Sequence, residues 1–346
     1  MPPRSGPERA PARRALLTGW FSFRDGEATA GDVLALRRVE ELLRELGLPY
    51  DIAWSPGFRP AGPSLETVRP ERYDLLLFIC GPLHGPQPAA LHDRFAGCRR
   101  IAVGVSVVDP EDPAVRGFDR VVPRDGSGSP PRADLSLAAR QRELPPVVAT
   151  ILTAGQHEYT GRRRHEETIR RVTDWLASRD CARLPLETRL DTRDWRLCAT
   201  PEQLDAVLAR VDLVVTNRLH GLVLALRCGV PVLAVDPVAG GAKVGAQARA
   251  LDWPAVIPAE RLDEDTLRSW WDWALGEGRS RAAAFRTRTR TGTGTGTRTA
   301  ARTPPGAPAR PPQQDDGLAE ELRTVLHTVL HEAPDGSDGS PGREVS

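Results

Sequence analysis

The chain has 346 residues, with 47 basic against 46 acidic side chains for a formal charge of +1, 40% hydrophobic and 27% charged. That length suits two ordinary domains with tails, and the near-zero charge excludes a dedicated nucleic-acid or membrane-surface binder, which carries a basic excess. Five cysteines without metal-type spacing, no signal-peptide pattern and no apolar run near a span of about 20 residues point to a reduced, soluble, cytoplasmic protein with no integral membrane segment.

Residues 1–13, rich in Pro and Arg, read as a disordered basic lead-in. Short apolar strands and amphipathic helices then alternate. Strands are expected at Ala15–Thr18, Tyr50–Trp54, Leu75–Cys80 and Ile101–Val107, with a short one at Val121–Val122. A helix over Val33–Leu46 repeats its apolar residues at a period of about 3.6, and Gly47 closes it. The Pro/Gly/Ser-rich stretch Asp109–Arg132 interrupts the pattern, and Pro145-Pro146 precedes a fresh strand, Val147–Leu152, so the domain boundary is expected there. Helix Glu166–Leu176 follows. Another opens at Thr200-Pro201-Glu202-Gln203, with Thr200 as N-cap and Gln203 reaching back in a capping box. Next come strand Leu213–Thr216, helix Leu219–Cys228 stopped by Gly229, strand Pro231–Val235, helix Ala242–Leu251 and a Trp-rich helix, Asp263–Leu275. Arg286–Thr299 is a run of Arg-Thr and Gly-Thr dipeptides followed by Pro-rich sequence, and a last helix spans Leu318–Leu330. The layout this gives is a first domain at 14–145, a second at 146–280, a disordered low-complexity linker at 281–314 and a C-terminal helix at 315–332. Strands alternating with helices mean an α/β protein with mostly parallel sheets.

One lysine, Lys243, and one asparagine, Asn217, occur in a chain whose other basic side chains are all arginine. An ammonium retained against that drift marks a place where a planar guanidinium will not serve; the plain alternative is a lysine on a solvated face. Lys243 closes a Gly240-Gly241-Ala242 turn, downstream of Asn217-Arg218-Leu219-His220-Gly221. As a parallel strand, Leu213–Thr216 delivers Asn217, Arg218 and His220 to the first turn of a helix, where free N–H groups and the dipole favour anions. Arg218 adds a fork for carboxylate or phosphate, and His220 a proton carrier; an interdomain ion pair and a satisfied core histidine are the competing structural readings. The following strand repeats the geometry. Gly240 and Gly241 let backbone approach a ligand, and Lys243 is set against the helix dipole, which a bound anion would explain.

A third basic loop, after Val147–Leu152, contains His157, Arg162 and Arg163; otherwise it is an ordinary solvated arginine loop. In the first domain, Asp32 either caps a helix or holds a sugar hydroxyl, and His84 follows the third strand. His327 and His331 have metal-type spacing without a third ligand nearby, so no metal site is expected. Nothing in the chain matches the phosphate-loop, dinucleotide, zinc-protease or esterase motifs.

Thr216-Asn217-Arg218-Leu219-His220-Gly221, the apolar helix after it, Gly229-Val230-Pro231-Val232-Leu233-Ala234-Val235 and then Lys243 resemble the polysaccharide pyruvyl transferase family. Gly31-Asp32 and Gly104-Val105-Ser106-Val107 support the resemblance, which covers about residues 15–275. Ala30, where relatives often carry Asn, and Gly81-Pro82, where they often carry Gly-Gly, depart from it in the half implied to bind acceptor. The resemblance implies two Rossmann-like domains in a GT-B-like arrangement. It also implies phosphoenolpyruvate as co-substrate, with no further cofactor, and a carbohydrate acceptor that receives a pyruvate ketal as phosphate departs. On that chemistry His220 serves as acid/base or phosphate partner, Arg218 and Lys243 clamp the anionic groups, and His157 or Arg162 assists. Two other readings fit the residues: a glycosyltransferase of the same layout using a nucleotide sugar, and a non-catalytic ligand-binding protein.

Overall fold

The structure, a computed structural model, describes residues 14–126, 128, 130–155, 157–291 and 317–331. Of residues 157, 158, 288–291, 317 and 328–331 only the backbone is described. The basic lead-in at 1–13, residues 292–314 of the expected linker and the chain after 331 lie outside the described residues. The chain divides between Glu143 and Leu144 into two compact units.

In the first unit, strands β1 (Ala15–Thr18), β2 (Tyr50–Ile52), β3 (Leu75–Ile79), β4 (Arg99–Val107) and β5 (Arg120–Gly126) form one sheet in the order β2-β1-β3-β4-β5. Every pairing is parallel. The strands read as near-continuous apolar runs because both faces are covered. Leu16, Leu76 and Phe78 pack on one face with Leu91 of α2 (Pro86–Arg94), Phe95 and Phe118. Leu17, Leu77 and Ile79 pack on the other with Ala35, Leu36, Val39 and Leu43 of α1 (Ala30–Glu45). Helix α1 is fixed at both ends. Thr29 is its N-cap, and Asp32 accepts from Thr29 in return, completing a capping box. At its C-terminus Gly47 takes a φ of 64°, its N–H donates to Arg44 and that of Leu48 to Leu43, a Schellman closure that a side chain would strain. A four-residue helix, α3 (Pro113–Arg116), is capped by Asp112.

The second unit repeats the plan. Strands β6 (Val147–Ile151), β7 (Ala182–Pro185), β8 (Leu213–Thr216), β9 (Val232–Asp236) and β10 (Val256–Pro258) lie in the order β10-β9-β8-β6-β7, again all parallel. Counted within each unit, both sheets run second, first, third, fourth, fifth, a doubly wound order whose direction reverses between the first and third strands. Along β9, Val232 and Ala234 face one core and Leu233 and Val235 the other. The first core is covered by α5 (Pro201–Leu208), α6 (Leu219–Arg227), α7 (Lys243–Ala250) and α9 (Glu277–Thr291), the second by α4 (His165–Ala177) and α8 (Glu264–Leu275). This bears out two Rossmann-like domains.

Helices α2 and α3 and strand β10 were not expected, and three further features differ from expectation. Helix α9 occupies the start of the stretch read as linker from 281: Ala282 and Phe285 are buried, and the Phe285 ring meets Trp253 edge-on at 6.2 Å. The dipeptide repeat begins only after this apolar pair, whose ring burial contributes about 2 kcal/mol, enough to hold a helix of Arg and Ala in place. Strand β7 escaped detection because all four of its residues are exposed at the sheet edge. The Gln203 side chain accepts from the Ala199 N–H rather than from that of Thr200, so the box at α5 is half formed. Helix α10 (Gly317–His331) completes the described elements.

Candidate functional site

Because the second sheet is wholly parallel, the loops leaving β6, β7, β8, β9 and β10 emerge at one edge, the edge where open α/β sheets hold ligands. Asn217 sits at the reversal point between β6 and β8. It is 0% exposed, its Oδ1 accepts from the Thr153 N–H at 2.8 Å and its Nδ2 donates to the Thr153 carbonyl at 3.0 Å. A buried amide must be satisfied, and here it is satisfied by backbone. Asn217 thereby ties the loops after β6 and β8 together across the crevice. Beside it, Thr216 donates to the Ile151 carbonyl at 2.7 Å and accepts from the Arg218 N–H at 2.9 Å. A Cβ on Gly221 would lie 2.2 Å from the Thr216 hydroxyl, so only glycine lets α6 start this close to the sheet.

Arg218 is the N-cap residue of α6, without a side-chain cap, and its half-buried guanidinium lies 3.1 Å from Glu187, in the segment after β7. The structural alternative was an interdomain ion pair; the one that forms lies within a single unit instead. His220 is exposed in the first turn of the same helix.

The loops after β6 and β9 are stitched together. The Ala239 N–H donates to Arg162 at 2.9 Å and the Arg164 N–H to Pro237 at 2.8 Å, around a bridge between Arg163 and Val238. This pairing sets two cations against one ring: Lys243 Nζ lies 5.8 Å, and the Arg162 guanidinium carbon 6.0 Å, from the Tyr159 centroid. The three cations expected to form a single grip are thus divided, with Lys243 and Arg162 at Tyr159 and Arg218 at Glu187. By sheet order, Arg218 reaches across β6 and Lys243 across β8, so both lean over the reversal point.

The glycine turn after β9 is held from within. Gly240 and Gly241 both take a φ of 79°, which accounts for their identity. Their amides are engaged: Gly240 donates to Glu260 at 2.7 Å and Gly241 to Val238 at 2.8 Å. The Glu260 carboxyl is held below the usual range, first by its own N–H and then by that of Gly240. Nor does the first turn of α7 need an external anion. Asp236, buried at the end of β9, accepts from Ala242 at 2.7 Å and from Gly245 at 2.8 Å, so the protein's own carboxylate meets the dipole beside Lys243.

The start of α4 remains open. Arg164 at its N-cap makes no capping bond, and a cleft of about 450 Å³ is lined by Gly161, Arg163, Arg164, His165, Glu166, Glu167 and Ala239. Arg163 keeps one amino group on the Ala154 carbonyl, at 2.6 Å. The His157 side chain falls outside the description, though the residue opens the helical turn His157–Arg162.

In the first unit, the two predicted residues have internal partners. The Asp32 carboxylate is bound within its capping box, and exposed His84 meets Asp112 at 2.6 Å. The Asp112 carboxyl is lowered by the Ala114 N–H first and by His84 after it. Sequence reasoning missed Glu187 and Glu260; Tyr159 and Arg164 stood within the third basic loop, and Asp236 in the turn after the strand, without assigned duties. The signal for Asp236 was present, since an acid ending an apolar strand before a Gly-Gly turn is a helix-capping pattern. Among the described residues no cluster of His, Cys, Asp and Glu could hold a metal, and no helix is long and apolar enough to cross a membrane.

Such an edge on a doubly wound parallel sheet is where open α/β folds hold ligands, and here it carries Arg162, Arg163, Arg164, Arg218 and Lys243. More particularly, residues 164–237, from the N-cap of α4 to the turn after β9, match the family model for polysaccharide pyruvyl transferase. The match supports a transferase. No curated protein matches the chain. Among solved structures it is similar to the glycotransferase of kitacinnamycin (15% identity over 82% of this chain and 96% of that one, TM-score 0.31). It is also similar to the E. coli heptosyltransferase WaaC with ADP (14%, 79% and 100%, TM-score 0.25). A third likeness is to the Methanocaldococcus jannaschii UDP-GlcNAc 2-epimerase in complex with UDP-GlcNAc and UDP (9%, 81% and 99%, TM-score 0.28).

Proposed function

We propose that this protein transfers the pyruvate unit of phosphoenolpyruvate to two hydroxyls of a sugar as a ketal, releasing phosphate. The observation that carries the reading is the pair of cations, Lys243 and Arg162, gathered at the Tyr159 ring just outside the matched stretch, on the same sheet edge as Arg218 and His220 within it. Phosphoenolpyruvate is small and doubly anionic, and its phosphate and carboxylate need separate cationic partners. Lys243 and Arg162 suit the phosphate. Arg218, with one arm on Glu187, has further N–H donors for the carboxylate.

The chemistry needs a proton at the methylene carbon, which makes the neighbouring carbon electrophilic. One sugar hydroxyl adds there; the C–O bond to phosphate then breaks, and the second hydroxyl closes the ketal. Of the two hydroxyl protons lost, one balances the proton taken up by carbon and the other leaves with phosphate. His220, exposed at the start of α6, is the residue we assign to that proton transfer. The competing reading, a nucleotide-sugar glycosyltransferase, would ask the same edge to hold a diphosphate.

Thermal stabilisation by phosphoenolpyruvate, set against a panel of nucleotide sugars, separates the two. A rise in Tm with phosphoenolpyruvate and phosphate release with a glycan acceptor are expected. Stabilisation by a nucleotide sugar, with none by phosphoenolpyruvate, would overturn the proposal.

A further inference from the structure

The loop after β2 takes no part in the reading above, yet it is built rather than loose. Trp54 donates its N–H to Pro63 at 2.7 Å and Ser55 to Phe21 at 2.7 Å. Phe58 and Arg59 both donate to the Ser55 carbonyl, at 3.0 and 2.9 Å, and Gly62 donates to Arg59 at 3.0 Å. The loop leaves the same sheet edge of the first unit as the turn carrying Trp20 and Phe21.

This scaffold holds one arrangement. The buried Trp54 ring has Phe21 on one side at 5.4 Å and the Arg59 guanidinium over its face at 4.0 Å. Gly62 passes so near that a Cβ there would lie 3.0 Å from the indole. Phe58, 45% exposed, stands 5.6 Å from the same guanidinium. Arg59 is exposed and has no carboxylate partner among the described residues. A guanidinium carries five N–H donors in one plane, and one lying over a ring without a carboxylate partner still has donors to offer a ligand. An exposed aromatic face beside such a fork matches a pyranose, whose C–H face is apolar and whose substituents are polar.

We propose that Phe58 and Arg59 form an acceptor subsite for a sugar ring bearing an anionic substituent, a carboxylate or a phosphate. The ring lies on Phe58 and the substituent is gripped by Arg59. This rests on the carbohydrate-transferase reading above and names the acceptor's chemical class.

The test uses the full chain and three probes: methyl β-glucuronide, glucose 1-phosphate and neutral methyl β-glucoside, each titrated by saturation-transfer NMR. The two anionic probes are expected to bind at least about fivefold more tightly than the glucoside, the scale of one charged hydrogen bond near the surface. Arg59→Gln should erase that preference, and Phe58→Ala should weaken all three. Neither substitution should change the Tm shift produced by phosphoenolpyruvate. Equal binding of charged and neutral probes, or a preference that survives Arg59→Gln, overturns the subsite. A preference lost in Arg59→Gln in a protein that ignores phosphoenolpyruvate upholds the subsite while the donor reading fails.

Discussion

Between the ends of β1 and β3 in the first unit stands the Trp20 indole, donating to the Pro82 carbonyl at 3.0 Å and packed against Gly81. At the equivalent reversal in the second unit, between β6 and β8, stands the Asn217 amide, bonded both ways to Thr153. The strand order is the same in both. One gap is filled by an aromatic ring, the other is spanned by a carboxamide with arginine and histidine beside it. A shared scaffold thus fixes where ligands can be held and leaves to the loop residues what each edge presents: aromatic surface in the first unit, positive charge in the second.

The sharpest way to break this comparison is through chemistry. Under the proposed mechanism, His220→Ala should lower phosphate release by about 10²–10⁴-fold while leaving Tm and circular dichroism unchanged. Undiminished turnover removes His220 from the mechanism. A substitution in the aromatic gap should come next. Gly81 has a φ of 75° and a Cβ there would lie 2.3 Å from the Trp20 ring, so Gly81→Ala should cost about 3 kcal/mol in denaturant unfolding. If stability is unchanged, Trp20 does not fill that gap. Asn217→Ala leaves the Thr153 N–H and carbonyl without their partner and should cost about 2 kcal/mol, with hydrogen exchange at Thr153 accelerated.

The smallest effect concerns pH. Burial first, then its bond to Asp51, raises Tyr73 from 10.0 to about 12, so the fold favours the neutral phenol. That contribution is intact below the ordinary tyrosine value and is lost as pH rises through about 12. Ultraviolet titration should show Tyr73 ionising latest, with Tyr50 also held above the ordinary value by burial and its bond to Glu40, and Tyr73→Phe should remove the latest step.

Much of the scaffold was legible because strands buried on both faces leave long apolar runs, as in Leu213–Thr216 and Leu75–Ile79. The edge strand β7 left no such trace. Helix α2 was hidden by prolines at 86 and 88, which permit a helix start without announcing one. At the site, the rule of strand ends found the right corners but not the duties within them. Asn217 is satisfied by a residue 64 positions away and Arg218 by one 31 positions away, partners that no local pattern reveals. The Gly240 amide read as open for a ligand for the same reason, since its partner Glu260 lies 20 positions on, whereas the capping alternative given for Asp32 is the local one that forms, with Thr29 three residues before it.

Asparagine deamidation has a single possible target in this chain. Asn217 is the chain's one asparagine, and hydrolysis of its amide would put a carboxylate oxygen where Nδ2 now donates to Thr153, leaving two acceptors face to face at about 3.0 Å. Molecules carrying that lesion would lose the tie across the reversal point before any other asparagine-derived damage, since the sequence offers no second place for it.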